Sequence, residues 1–269
     1  MTESYRNYFG FQREPFRSDP DLKDILETEQ IKGVCHRFDY ALRLGAPALV
    51  TGEIGSGKST ALRYAAAKLH PAEYRYLWIT AVSGSILEIY RLLLAELGME
   101  TASHSRATLV RRIKKEIIHL VSEKKMKVVL LIDEASLLRL EVFAELHTLC
   151  QFEQDSKAWL PLVLAGQGSL IDKLKYPGSR PLASRIVARA HLEGVDRTGM
   201  EAYLMHHLRL AGVETPFFDD TAVTAIHQGS GGLLRSANHL ARGALIAAAQ
   251  AKCTSVTAEH VRLAATEIF

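Results

Sequence analysis

An eight-residue glycine-rich segment, Gly52 to Ser59, constrains the fold of this chain more than any other feature of its sequence. The segment reads GEIGSGKS and matches G-x-x-x-x-G-K-[S/T] at every fixed position. A short apolar run, 48–51, precedes it, and a helical pattern, 60–69, follows it. In that context the glycines let backbone N–H groups turn towards phosphate oxygens, and the helix presents its positive N-terminal end. A chance match in a turn is the alternative, and the flanking strand and helix argue against it.

The same motif gives its residues predicted roles in binding ATP. Lys58 is expected to bridge β- and γ-phosphate oxygens, and the Ser59 hydroxyl is expected to ligate Mg²⁺. The predicted nucleotide-binding residues of this segment are Gly52, Glu53, Ile54, Gly55, Ser56, Gly57, Lys58, Ser59 and Thr60.

Short apolar runs alternate with helical patterns through the first 192 residues, and only helical patterns follow residue 198. Near-continuously apolar runs are typical of strands buried on both faces of a parallel sheet. The predicted strands are 48–51, 76–79, 128–132, 160–165 and 188–192, the helices among them are 27–44, 60–69, 86–97, 109–123 and 141–152, and the C-terminal helices are 200–211, 220–228, 234–251 and 257–268. We therefore predict an α/β fold, with an αβα sandwich around a five-stranded parallel sheet over 1–195 and a helical lid domain over 196–269.

Two acidic residues, Asp133 and Glu134, directly follow the apolar run 128–132. A carboxylate at that strand end can hold the water shell of Mg²⁺, and the next one can orient and deprotonate the attacking water. An ordinary strand-to-helix cap would also place acidic residues there, but the phosphate-binding segment upstream favours hydrolysis. We therefore predict Asp133 as a metal ligand and Glu134 as the catalytic base.

Further candidates are a glutamine and four arginines near the ends of predicted elements. Gln167 follows the fourth strand, where its amide could contact the γ-phosphate or the attacking water, although such residues are also ordinary in loops. Arg180, Arg185 and Arg189 lie close to the start of the fifth strand, where an arginine can enter a neighbouring subunit's nucleotide site. Surface arginines are usually solvated, and position favours Arg185 among the three. Arg235 opens a helix of the tail and could reach the γ-phosphate.

Taken together, these motifs and their order resemble those of AAA+ ATPases, and more narrowly those of the ExeA/GspA type. The segments that carry the narrower resemblance are YFGF at 8–11, PF at 15–16, TGE at 51–53, DEA at 133–135, LAGQ at 164–167, SRIVAR at 184–189 and LR at 234–235. The resemblance covers nearly the whole chain and implies Gln167 as sensor 1, Arg185 as arginine finger and Arg235 as sensor 2. Leu234 stands where a proline often precedes the sensor 2 arginine.

The resemblance also bears on the biological role. Secretion ATPases of this type carry a transmembrane segment and a cell-wall-binding region after the ATPase, and the sequence to Phe269 contains neither. It is thus similar to stand-alone ATPases akin to TnsC, MuB and IstB, which regulate a transposase. We expect an ATP-dependent homo-oligomer, a ring or a helical filament, on duplex DNA, with a transposase as partner. A secretion or envelope assembly ATPase with protein partners is the alternative.

Hydropathy and cysteine spacing predict a cytoplasmic protein without a membrane partner. The sequence has no run of about 18 apolar residues and no signal-peptide pattern at its start. Cys35, Cys150 and Cys253 lie far apart and fit no zinc or redox spacing.

A basic cluster precedes the third predicted strand. It consists of Arg106, Arg111, Arg112, Lys114 and Lys115, followed by Lys124, Lys125 and Lys127. Such charges can contact the DNA backbone, but they also describe the solvated face of a helix that buries Ile113, Ile117 and Leu120. The net charge of +3 is compatible with either interpretation. Because no base-reading module is recognisable, any DNA contact should be to the backbone.

Overall fold

Within residues 2–268, one or more helices lie between each strand and the next, and no further strand follows the fifth. The computed structural model describes residues 2–268. Its strands are Ala48–Gly52 (β1), Tyr74–Thr80 (β2), Lys127–Asp133 (β3), Leu162–Gly166 (β4) and Ala188–Leu192 (β5). Its helices are Thr2–Phe9 (α1), Glu29–Leu44 (α2), Lys58–Ala67 (α3), Ile86–Glu96 (α4), Arg106–Ile118 (α5), Leu140–Leu149 (α6), Ser169–Lys175 (α7), Arg180–Ala183 (α8), Arg197–Leu210 (α9), Asp220–Ser230 (α10), Leu234–Gln250 (α11) and Ala258–Ile268 (α12).

The strands within residues 2–268 form one five-stranded parallel sheet in the order β2-β3-β4-β1-β5. All of β1 and β4 is buried, and β3 is buried beyond its first residue. Burial on both faces is what the near-continuous apolar runs predict. The predicted α/β class and five-stranded parallel sheet are therefore confirmed.

The pairing register brings the carboxyl ends of the central strands to one edge of the sheet. Ile132 of β3 pairs with Leu164 of β4, and Thr51 of β1 pairs with Gly166 of β4. Because the strands are parallel, the residues that follow β1, β3 and β4 lie along this same edge. We call it the carboxyl edge.

Residues 2–268 divide into two compact units. The sheet unit consists of Thr28–Gly52 and Lys58–Leu192. The helical unit consists of the residues up to Glu27, the loop Glu53–Gly57 and the residues from Glu193 onward. The C-terminal helical region agrees with the prediction. Residues 2–27, which were predicted to belong to the α/β domain, group with the helices instead.

Several element ends differ from the predictions for local reasons. The helix predicted over 141–152 ends at Leu149, because left-handed backbone follows at 153–155. The helix predicted over 109–123 begins at Arg106, where the Ser105 hydroxyl accepts a hydrogen bond from the Thr108 N–H at 3.4 Å. The structure also contains α1, α7 and α8, which are too short to show a clear helical period in the sequence.

Helices α4, α5 and α6 contribute large side chains to the core of the sheet unit. Tyr90, Ile113, Ile117 and Phe143 are all essentially inaccessible to solvent. Burial of each such side chain contributes about 1.5–3 kcal/mol relative to leaving it exposed. Ile113 and Ile117 lie four residues apart on one face of α5, so the basic residues of this helix fall on its other faces.

An aromatic cluster explains why the N-terminal segment groups with the helices. The ring centroids of Phe9 and Phe217 lie 4.7 Å apart, and those of Phe16 and Phe218 lie 5.9 Å apart. All but Phe217 are buried, and such ring pairs contribute about 0.5–1.5 kcal/mol beyond their burial. The aromatic motifs near the start of the chain therefore form part of the core of the helical unit.

A histidine is buried in this aromatic cluster. His207 of α9 is 7% exposed, and its ring centroid lies 5.1 Å from that of Phe16 in a stacked arrangement. Burial lowers the pKa of His207 to about 4, and the neighbouring His206 adds to the effect while Asp24 opposes it. His207 is therefore neutral in the folded protein at pH 7.

We expect the pH dependence of stability to report this burial. An unfolded histidine takes up a proton near pH 6.5, whereas folded His207 does so only near pH 4. The free energy of unfolding should thus fall as the pH drops from 6.5 to 4, by roughly 3 kcal/mol from this group. His207→Phe should remove that part of the slope in chemical denaturation measured across this range, and the exposed His36→Gln should not. An unchanged slope in His207→Phe would assign the loss to another group.

Candidate active site

Left-handed backbone shapes the glycine-rich loop between β1 and α3. Gly55 and Gly57 have φ values of +84° and +95°, where residues with a side chain are strained. A Cβ at Gly55 would lie 2.8 Å from the Cβ of Arg235, and the Arg235 N–H donates to the Gly55 carbonyl at 3.2 Å. This contact lies within the helical unit. Glycine is therefore the residue that the backbone requires at position 55.

The loop and the first turn of α3 each contain polar groups that a phosphate could bind. Lys58 is 6% exposed, and its Nζ donates to the Gly52 carbonyl at 3.0 Å. Ser56 is also buried, and its hydroxyl oxygen has no hydrogen-bond partner among the described residues. Ser59 is exposed in the first turn of α3. Within the sheet unit, a buried ammonium group at the N-terminus of a helix fits a bound phosphate group.

The two acidic residues at the end of β3, Asp133 within the strand and Glu134 after it, occupy different environments. Asp133 is 6% exposed, and its Oδ1 accepts a hydrogen bond from the Glu134 N–H at 2.8 Å. Glu134 is half-buried and has φ +52° and ψ +32°, a left-handed conformation that is uncommon outside glycine. Strained backbone of this kind concentrates at functional sites. Both residues lie at the carboxyl edge of the sheet, as does Lys58 after the loop that follows β1.

Gln167 is held at the same edge by residues that the sequence analysis did not select. Its backbone N–H donates to the Ser136 hydroxyl at 3.2 Å. The Lys173 ammonium group donates to the carbonyl oxygens of Ser136 and Leu138 at 2.6 and 2.7 Å. These bonds tie the segment after Glu134 to the end of β4 and the start of α7. Its position two residues after the acidic pair was the feature of the sequence that could have indicated a role for Ser136 near the site.

Arg185 does not join this group of residues. It lies three residues before β5, and therefore at the amino edge of the sheet, opposite the carboxyl edge. Its guanidinium group forms a two-point ion pair with Asp155, in which Nη1 lies 2.8 Å from Oδ1 and Nη2 contacts Oδ2. Hydrogen bonding to Arg185 lowers the pKa of Asp155. The sequence analysis missed Asp155, which lies in an ordinary polar turn sequence.

The other candidate arginines are exposed. Arg180 lies at the start of α8, and Arg189 lies in β5. Arg235 is exposed in the first turn of α11, within the helical unit that also contains the loop Glu53–Gly57.

The residues of the basic cluster on and after α5 differ in their contacts. The Arg112 guanidinium group donates to the Glu100 carbonyl at 3.0 Å, and Lys114 donates to the carbonyls of Thr148 and Gln151 at 3.0 and 2.7 Å. Burial lowers the pKa of Lys114. These two residues therefore stabilise the sheet unit. The residues of the cluster that are exposed without such carbonyl contacts include Arg111, Lys115, Lys124 and Lys125.

Comparison with known proteins finds a family model and several proteins to which this chain is similar. Residues 43–174 match the family model described as an AAA domain. The matched segment is therefore similar to AAA domains, and the protein has an α/β fold with a five-stranded parallel sheet and a helical region after the sheet.

Among curated proteins, the chain is similar to general secretion pathway protein A of Aeromonas hydrophila, with 30% identity over 267 residues. The match covers 98% of this chain and 48% of that protein, so the chain spans about half the length of this relative.

Solved structures with the same fold include Cdc6p of Pyrobaculum aerophilum, with a TM-score of 0.70 and 16% identity over 98% of this chain and 71% of that chain. The Aeropyrum pernix ORC1 protein, determined in complex with DNA, gives a TM-score of 0.66 and 16% identity over 93% of this chain and 68% of that chain. The Thermotoga maritima RuvB Holliday junction branch migration motor gives a TM-score of 0.57 and 19% identity over 94% of this chain and 73% of that chain. At these identities the likeness concerns the fold.

The helices of residues 2–268 have one further property in common. None of them combines the length and the apolar character that crossing a membrane requires.

Proposed function

We propose that the protein binds ATP together with Mg²⁺ and hydrolyses the γ-phosphate bond. The observation that carries the proposal is the buried Lys58, which lies at the start of α3 on the sheet edge that also holds Asp133 and Glu134. A buried ammonium group is costly unless anionic or hydrogen-bonding partners surround it. Triphosphate oxygens are the partners that this loop geometry fits, and the AAA domain match supports the same conclusion.

Each residue at the edge then has a separate task. Ser59 and Asp133 would hold Mg²⁺, which neutralises charge on the phosphate oxygens when it is bound. Lys58 stabilises the charge that develops on the transferred phosphoryl group. Glu134 orients the attacking water and accepts its proton. Gln167, held through Ser136, offers its amide to the water or to the γ-phosphate.

A second copy of the chain would complete the site. Arg185 and the carboxyl edge lie at opposite ends of five-residue strands, which span about 16 Å. An arginine so placed is directed away from its own subunit's Glu134 and is available to a neighbour as an arginine finger. Arg235, in the helical lid, would act as sensor 2 on the γ-phosphate. ATP would therefore favour a ring or a helical filament.

For the biological role, we propose an ATP-dependent regulator that assembles on duplex DNA and acts beside a transposase. The exposed Arg111 and Lys115 on α5 offer phosphate contacts that repeat along an assembly. A fold neighbour, the Aeropyrum pernix ORC1 protein, was determined in complex with DNA. Because such an assembly forms on DNA inside the cell, the proposed location of the protein is the cytoplasm.

A second candidate is a secretion or envelope assembly ATPase whose partners are proteins. The 30% identity to general secretion pathway protein A over nearly the whole chain favours it. The two roles share the ATPase chemistry and differ in whether DNA is bound.

The hydrolytic assignment is tested by two substitutions with different expected results. Lys58→Ala should abolish tight ATP binding, because it removes the cation that faces the phosphates. Glu134→Gln should retain ATP binding and lower turnover by about 100-fold or more, the usual contribution of a general base. Equilibrium binding and phosphate release would be measured for both, with the exposed Glu141→Gln on α6 as control. Normal turnover in Glu134→Gln would remove Glu134 as the base.

The finger assignment is tested by mixing defective subunits. Arg185→Ala should still bind ATP but lose turnover by about a thousandfold. Mixing it with Glu134→Gln should restore part of the activity, since an interface can combine an intact Glu134 with a neighbour's intact Arg185. Mixing with a subunit that carries both substitutions is the control and should restore none. Absence of rescue from subunits shown to mix would place the action of Arg185 within one subunit.

DNA binding separates the two biological roles. We expect ATP-dependent binding to duplex DNA that is nearly independent of sequence and weakens with salt. Arg111→Glu with Lys115→Glu should leave ATP affinity unchanged. It should also reduce the slope of log K against log salt by about 2 per subunit, if both residues contact phosphates. Lys23→Glu with Arg209→Glu changes the net charge equally in the helical unit and serves as control.

Mobility-shift assays at low salt, with ATP and with a non-hydrolysable analogue, would measure this binding. No binding under either condition would reject the role on DNA and favour the role with protein partners. Binding that survives the α5 substitutions would reject only this surface.

A further inference from the structure

The Asp155–Arg185 ion pair occupies the groups through which Arg185 would act on a neighbour. Both terminal nitrogens of Arg185 are bound to the two carboxylate oxygens of Asp155. A phosphate oxygen pair is recognised by the same fork of the guanidinium group. Asp155 and an incoming phosphate chain therefore compete for one set of donors.

Asp155 is held in position by an unusual turn. Among the described residues, Glu153, Gln154 and Asp155 follow one another with φ values of 44°, 55° and 67°. The turn is closed by hydrogen bonds from the N–H groups of Ser156 and Lys157 to the Phe152 carbonyl, at 3.1 and 3.3 Å. Left-handed residues without glycine persist where their surroundings hold them.

The anchor of this turn is in the core of the sheet unit. Phe152 is 3% exposed, and its ring contacts that of Trp159 with centroids 5.7 Å apart. Arg185 and the turn also line a pocket of about 130 Å³ together with His147 and Cys150. The carboxylate of Asp155 is thus presented to Arg185 from a turn that is hydrogen-bonded to the buried Phe152.

We propose that Asp155 is a latch that retains Arg185 within its own subunit and so sets the protein concentration at which ATP-dependent assembly begins. This inference rests on the proposed action of Arg185 in a neighbouring subunit. In the free subunit the guanidinium group stays on Asp155. On assembly it exchanges this carboxylate for the neighbour's phosphate oxygens, and Asp155 returns to solvent.

The exposure of the pair makes this exchange feasible. The side chains of Arg185 and Asp155 are 40% and 36% exposed, so water screens their attraction. Measured exposed pairs have coupling that corresponds to about a two- to fivefold change in an equilibrium constant. A latch of that strength delays assembly without preventing it. It also keeps the arginine extended from the amino edge in the absence of a neighbour.

The test is the dependence of ATP turnover on protein concentration in the full chain. Asp155→Asn removes the charge while asparagine tolerates the left-handed backbone. It should reach half-maximal turnover per subunit at a protein concentration two- to fivefold below that of the parent, with the same maximal turnover. The matched control is Asp172→Asn, which breaks an exposed pair with Lys175 at 2.9 Å in the same unit. Asp155→Gly is a second variant that relaxes the backbone and should behave in the same way.

A second readout separates the latch from a merely structural role. Assembly with a non-hydrolysable ATP analogue, followed by sedimentation velocity, should be promoted by Asp155→Asn in the parent but not in the Arg185→Ala background. A structural effect of Asp155 would appear in both backgrounds and would overturn the proposal.

The outcomes also distinguish this inference from the function on which it rests. Inactive Arg185→Ala together with unchanged or weaker assembly of Asp155→Asn and Asp155→Gly would overturn the latch alone. Normal turnover of Arg185→Ala would overturn the finger and the latch with it.

Discussion

Parallel pairing of β1, β3 and β4 is the constraint on which the site depends. The ends of these strands bring Lys58, the pair Asp133 and Glu134, and Gln167 to the carboxyl edge, and the three segments are far apart in sequence. The register between Ile132 and Leu164, and between Thr51 and Gly166, brings the segments that follow them together. The strands can hold this register because their side chains are buried on both faces, so a slip would remove apolar contacts throughout the sheet. Local strain, such as the left-handed Glu134, is then supported by a rigid sheet.

The same parallel arrangement separates Arg185 from the residues at the carboxyl edge. A residue that precedes a strand of a parallel sheet lies at the opposite end of the sheet from residues that follow the strands. The proposed action of Arg185 on a phosphate group therefore requires a second subunit, because Arg185 and the carboxyl edge lie at opposite ends of the strands. This separation leaves the guanidinium group of Arg185 paired with Asp155 of the same subunit. The helical unit contributes the loop contact between Gly55 and Arg235.

The comparisons and the surface chemistry bear on different parts of the function. The AAA domain match and the fold support the proposed nucleotide chemistry. The relative from Aeromonas hydrophila has about twice the length of this chain, so its role as a whole passes to this protein only as a proposal. Fewer basic side chains of α5 are available to DNA than its composition indicates. Arg112 and Lys114 bind backbone carbonyls, whereas Arg111 and Lys115 are exposed. The number of basic residues along a helix does not distinguish those that bind backbone carbonyls from those that are exposed.

The amino-acid sequence by itself determined the α/β class, the five strands and the glycine-rich loop, because these depend on apolar runs and on local backbone requirements that sequence patterns express directly. The candidate residues Lys58, Asp133 and Glu134 could be predicted for the same reason, although their chemical roles stay proposals. Only the tertiary structure decided which residues support them. Ser136 reaches the end of β4, Asp155 binds a residue thirty positions away, and the N-terminal aromatics pack against Phe217 and Phe218. Such contacts join segments that are distant in sequence, and no periodicity within either segment specifies its partner.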